Sequence, residues 1–145
     1  MNTKKPILVV ILFFLILFQS ISGIFGGIGL IIDPSGEALQ IPLEWLDGSP
    51  FANYLIPGII LFIVLGIIPF LIFFGLRKRK YWGWQGSIFI GLALIIWIVV
   101  EIIIIGYQHD PPLQLIYGIV GITILAVTNT ATVKNFFKQT DKNQL

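Results

Sequence analysis

SIFIGLALIIWIVVEIIIIGYQ, residues 87–108, is an unbroken apolar run with one carboxylic acid, Glu101, inside it. A bilayer core of roughly 30 Å takes about 20 apolar residues at about 1.5 Å of helical rise each, and the run supplies them without a proline. Between residues 88 and 105, fourteen positions are Ile, Leu, Val or Phe. Each contributes about 0.3–0.6 kcal/mol toward insertion, which together outweighs the ~3 kcal/mol cost of one central acid. The β-branched richness would suggest a strand in water, but hydrocarbon gives backbone groups no partner outside a helix or a closed barrel. Without two-residue alternation the barrel is excluded, so the run predicts a transmembrane helix.

The rest of the chain has the same character. Of 145 residues, 57% are apolar and 11% charged, and the mean hydropathy is +0.96. That leaves too little polar surface to coat a soluble core, and one integral membrane domain over residues 1–145 follows. The lack of cysteine removes disulfides and thiolate metal sites. A single histidine, His109, argues against bis-histidine haem ligation and ordinary zinc sites. No metal and no cofactor is expected.

Read in order, the sequence predicts an all-α bundle of four transmembrane helices, at about 6–32, 54–76, 84–108 and 113–132, with a basic tail at 133–145. Lys4, Lys5 and the apolar stretch before Ser20 and Ser22 have features of a signal peptide, but apolar sequence continues to Ile32, which favours an uncleaved span. Gly23 and Gly27 form a GxxxG pair that permits close helix contact. Residues 33–53, DPSGEALQIPLEWLDGSPFAN, are expected to form a structured loop between the first and second helices. Asp33-Pro34-Ser35-Gly36 fits a type I turn, Pro42 to Leu46 a single helical turn with Trp45 at the interface, and Ser49-Pro50 an N-cap and first-turn proline. Pro69 predicts a bend in the second span near residues 65–69. Four consecutive cations, residues 77–80, precede Tyr81, Trp82 and Trp84, the pattern of a membrane edge rather than of nucleic-acid binding. His109-Asp110-Pro111-Pro112 reads as a tight turn. Lys134, Lys138 and Lys142, at intervals of four beside Phe136 and Phe137, suggest a short basic helix on the membrane surface, or a frayed tail.

If the four helices alternate in direction, all nine cations fall on one side. The other side holds Asp33, Glu37, Glu44, Asp47 and Asp110 and no cation. The positive-inside rule then places both termini in the cytoplasm and the 33–53 loop outside, in a multi-pass protein of the plasma membrane.

Glu101 lies about six residues, roughly 9 Å, from the centre of its span toward the outer face. Ser87, Gly91 and Gln108 share its side of a helical wheel, so that face should point into the bundle. Alternating topology puts Ser22 and Gly23 of the first span and Gly121 and Thr123 of the fourth at similar depth, with Gln19 and Ser20 nearer the midplane. Glu101, Gln108, Gln19, Ser20, Ser22 and Thr123 are therefore candidates for an intramembrane polar site. One reading makes Glu101 a neutral or hydroxyl-bonded acid that fixes helix packing. A second makes it a proton- or cation-binding site reached from outside, and a third lets it snorkel outward without a role. His109, eight residues on and about 12 Å along the axis, is too far to touch it.

GIGLIIDPSG at 27–36, SPFANYLIPGIILF at 49–62 and EIIIIGY at 101–107 resemble a family of short, uncharacterised bacterial four-helix membrane proteins, over most of the chain. The resemblance implies no reaction, ligand or partner, and favours treating the loop and Glu101 as one surface. Three functions follow in order. The first is a non-catalytic structural, interaction or regulatory membrane protein, whose partners are the lipid bilayer and either further copies of itself or another membrane protein. The second is an oligomeric proton- or cation-coupled transporter or channel using Glu101. The third is a lipid-acting enzyme in which Asp33, Glu37, Glu44 and Asp47 hold a divalent cation, although they match no EF-hand loop.

Overall fold

A computed structural model describes residues 4–143, and every regular element among them is helical. The first apolar run forms α1 (Ile7–Ile32), which begins behind Pro6 and stops at Asp33. The second forms α2 (Leu55–Arg77), and where a bend is expected from Pro69 the helix carries a π-helical turn at Ile63–Ile67. The third forms α3 (Tyr81–Ile105), shifted three residues toward the N-terminus from the predicted 84–108. Its aromatic start already belongs to the first helical turn, and Gly106, at φ 74°, ends it in a conformation that costs glycine little.

The fourth helix is shorter than its sequence suggests. α4 (Leu113–Thr128) ends before the expected residue 132, and α5 (Ala131–Lys142) leaves it at 59°. The polar residues at the break compete for backbone partners. Asn129 Nδ2 donates to Leu125 O at 2.8 Å, and Thr130 Oγ1 donates to Val127 O at 2.8 Å and accepts the Val133 N–H. Three helices, α1 to α3, are long and apolar enough to cross a membrane, and α4 with α5 makes a fourth only when the bent pair is taken together.

α1 is the central element. It runs along the whole of α2 and also touches α4, while α3 packs on α4 and on the Ile68–Arg77 half of α2. The α1–α2 approach is closest at the GxxxG pair. A Cβ at Gly23 would overlap the Leu65 carbonyl, and one at Gly27 would lie 2.5 Å from Phe62 Cβ. The largest core cluster, with Leu12, Ile16, Leu76, Ile90, Ile124 and Phe137, gathers α1 to α5.

The loop between α1 and α2 is ordered. The Asp33 turn is closed by Gly36 N donating to Asp33 O at 3.1 Å, and short 3-10 turns follow at Glu37–Leu39 and Leu43–Leu46. Tyr54 ties the end of the loop to its beginning: its N–H donates to Pro34 O at 2.8 Å and its hydroxyl to Pro42 O at 2.7 Å. Leu30, Leu46 and Tyr54 form a small buried cluster beneath it. α2 starts at Leu55, beside the predicted residue 54, and Ser49-Pro50 does not cap it. Ser49 Oγ instead accepts the Phe51 N–H at 3.2 Å in a local turn, and Asn53 Oδ1 accepts the N–H of Leu55 at 3.0 Å.

Asp33 organises the first turn of this loop. Its Oδ1 accepts from Ser35 Oγ at 2.6 Å and from Ser35 N at 3.2 Å, and its Oδ2 from Ala38 N at 2.8 Å. The Ser35 hydroxyl foremost, and then the Ala38 N–H, hold the carboxyl below its ordinary value of 3.8. A carboxyl that is a stronger acid when folded stabilises the loop fully above its ordinary value and loses that contribution as pH falls through the lowered one. Amide exchange at Ala38 is accordingly expected to accelerate below about pH 4 beyond the intrinsic trend. In Asp33→Asn that acid-induced step should vanish, and its persistence there would show that another group controls the turn.

Candidate functional site

Glu101 lies one turn before the end of α3, and Trp97 lies one turn before Glu101. At this i, i+4 spacing the two side chains meet on one helix face. Trp97 Nε1 donates to Glu101 Oε1 at 2.8 Å. The Trp97 ring packs against a cluster of Leu65, Leu94 and Ile98, together with Leu61 and Val64, where α2 faces α3. The 3-10 turn Leu43–Leu46 rests on α3. The acid thus serves a tryptophan of its own helix, rather than the hydroxyls expected from α1 and α4.

The other candidates fall into separate groups. Gln19 and Ser20, almost wholly buried on α1, reach across to the π turn of α2. Gln19 Nε2 donates to Leu65 O at 3.3 Å and Ser20 Oγ to Gly66 O at 2.9 Å. In α-helical register the Leu65 carbonyl would receive the N–H of residue 69, which proline lacks. A neighbouring polar side chain is a standard way to satisfy such a carbonyl in lipid. Among the described residues, Gln19 Oε1 itself is enclosed without a hydrogen-bond partner, as is Thr128 Oγ1. Ser22 is half-buried beside Gly23, and Thr123 turns its hydroxyl back to Ile119 O at 2.7 Å.

Gln108 stands outside the helix that the wheel assigned it to. Its Nε2 donates to Ile105 O at 2.8 Å, and its N–H donates to Gln114 Oε1 at 2.9 Å. Gln114 Nε2 closes the ring by donating to Gly106 O at 3.1 Å. The two glutamines therefore seal the α3–α4 connection. Gln114, at 5% exposure, was not a sequence candidate. The sequence signal that could have found it is a polar residue in the first turn of an apolar helix, opposite a glycine-ended one. Trp84 is a second such omission: its Nε1 donates to Thr128 O at 2.8 Å and closes the last turn of α4.

The loop acids do not converge. Asp33 is occupied by Ser35 and Ala38, Glu37 is exposed, and only Glu44 and Asp47 border a common open depression of about 350 Å³, with Leu46 and Phe51. Among the described residues no three His, Cys, Asp or Glu side chains are placed to hold a metal ion. Within the helices, the Trp97–Glu101 pair joins two side chains, whereas Gln19, Ser20, Ser87 and Thr123 bond to backbone. No family model, curated protein or solved structure matches the chain.

Proposed function

We propose that the chain is a four-span protein of the plasma membrane with both termini cytoplasmic, whose role is structural or interactive rather than catalytic, and that Glu101 acts in packing. The observation that carries this reading is the 2.8 Å bond from Trp97 to Glu101, beside the cluster that joins α2 to α3. An indole N–H in hydrocarbon needs an acceptor, and the acid one turn away supplies it. Support for the orientation comes from the nine cations, which this topology gathers on one face, and from the acid-bearing loop on the other. The partners in this reading are lipid and either further copies of the chain or another membrane protein. The sequence resemblance to short four-helix membrane proteins agrees with it and adds no chemistry.

Two variants test the role of Glu101. Glu101→Gln keeps a carbonyl acceptor for Trp97 and is expected to unfold near the wild-type temperature in detergent, with the same oligomeric state. Glu101→Leu leaves the indole N–H without its partner and should cost about 1–2 kcal/mol. Neither variant nor the wild type should conduct protons or cations in liposomes. Wild-type flux that disappears in Glu101→Gln with assembly unchanged would replace packing by transport. For the topology, a reporter fused after Leu145 should behave as cytoplasmic, and the opposite result would overturn the four-span arrangement.

A further inference from the structure

The bundle uses only one face of α5. Val133 and Phe137, one turn apart, are fully buried and join Val9, Leu12 and Trp84 in the main cluster. Lys134, Lys138 and Lys142 lie exposed at the same one-turn spacing on an adjoining face. Lys138 and Lys142 form no ion pair among the described residues. The Lys134 ammonium sits 5.8 Å from the Trp84 ring, and Trp84 stacks on Tyr81 at 5.1 Å in the first turn of α3. Trp82, beside them, is 51% exposed. Tyrosine and tryptophan at the end of an apolar helix lie at headgroup level in a bilayer, so the lysine row starts at the depth of the lipid phosphates. The Arg79 guanidinium lies 5.3 Å from the Phe136 ring, which links the α2–α3 connection to α5. Two basic segments far apart in sequence are thereby joined into one platform, and Phe137 sets its orientation.

We propose that this platform docks anionic phospholipid headgroups, with Lys134, Lys138 and Lys142 as the phosphate-facing row. The inference rests on the membrane reading above and assigns a lipid class to one face of the protein. Lysine binds phosphate as a compact point charge, and three of them at about 6 Å intervals along a docked helix present a fixed positive row. Because α5 is already folded against the bundle, lipid association need not order it, and the attraction is electrostatic and sensitive to salt. Depth favours lipid over an acidic protein, since the row begins among aromatics of the membrane interface rather than out in solvent.

The test is thermal unfolding of the purified full chain in uncharged detergent, with phosphatidylglycerol, phosphatidylcholine, inorganic phosphate or polyglutamate added. Phosphatidylglycerol is expected to raise the midpoint by several degrees and the other three additions to leave it unchanged. Molar salt should abolish the shift. Combined Lys134→Gln, Lys138→Gln and Lys142→Gln should weaken the apparent affinity at least about tenfold. Should that variant fail to fold, the corresponding lysine-to-arginine triple, which keeps the charge, must retain the shift, and its loss would overturn the proposal. Equal effects of phosphatidylglycerol and phosphatidylcholine would also overturn it, as would a full shift in a folded glutamine variant. A shift given by inorganic phosphate would assign the row to a free anion, and a larger one from polyglutamate would assign it to an acidic protein. A chain that stays folded and monodisperse without detergent would instead refute the membrane reading itself.

Discussion

Replacing Gly23 by leucine is expected to lower stability by about 3 kcal/mol or more, the upper range for forcing atoms into a filled core. The position admits no side chain, because a Cβ there would overlap the Leu65 carbonyl, and Leu65 and Gly66 are backbone neighbours that cannot rotate aside. The damage should extend to the hydrogen bonds from Gln19 and Ser20, which depend on the same close approach. Gly26→Leu is the matched control. A Cβ at Gly26 meets only the Leu61 side chain, at 3.2 Å, and a flexible leucine can move. Thermal unfolding of both variants in detergent decides the matter: similar midpoints for Gly23→Leu and Gly26→Leu would show that the helices do not meet at the GxxxG pair.

Phe137→Ala is expected to release α5 while leaving the remaining helices assembled. Phe137 is among the largest fully buried side chains, and removal of such a ring costs about 3–5 kcal/mol. α5 has few other anchors, chiefly Val133, so most of that loss should appear as local opening. At 1.4 kcal/mol per tenfold, the open fraction should rise by roughly two orders of magnitude or more. Trypsin cleavage after Lys134 and Lys138 measures that fraction when opening is fast relative to cleavage. Tail cleavage at the wild-type rate would mean that α5 is held elsewhere.

The three long apolar helices, the ordered loop and an irregularity before Pro69 could all be read from residue order. Each depends on local chemistry: run length against bilayer thickness, an Asp-Pro-Ser-Gly turn, a missing N–H. The partners were harder to read. Pro69 announces that a carbonyl will lack its usual α-helical donor, but Gln19 reaches Leu65 O, with Ser20 on the adjacent Gly66 O, only because α1 and α2 align in one particular register, 46 residues apart. Glu101 stands out in the sequence as a charge in an apolar run, and the helical wheel points it at other helices, whereas its partner Trp97 lies four residues away in the same one. Gln108 was misplaced because the wheel assumed a helix that Gly106 ends. The end of α4 was misjudged because hydropathy does not register that Asn129 and Thr130 turn their side chains onto their own backbone.

In the membrane reading proposed above, the Gln19–Leu65 bond also bears on how the helices insert. A carbonyl short of a donor is expensive in hydrocarbon, and the Leu65 carbonyl, in the π turn before Pro69, takes a side-chain donor from outside α2. Its supplier is the helix made immediately before it, and the 33–54 connection between them is already folded on itself by Tyr54. The α1–α2 hairpin is therefore the smallest piece of this chain that holds the Leu65 carbonyl together with its side-chain donor. Biogenesis should treat these two helices as one cargo, with α3 and the tail assembling on a pair already closed.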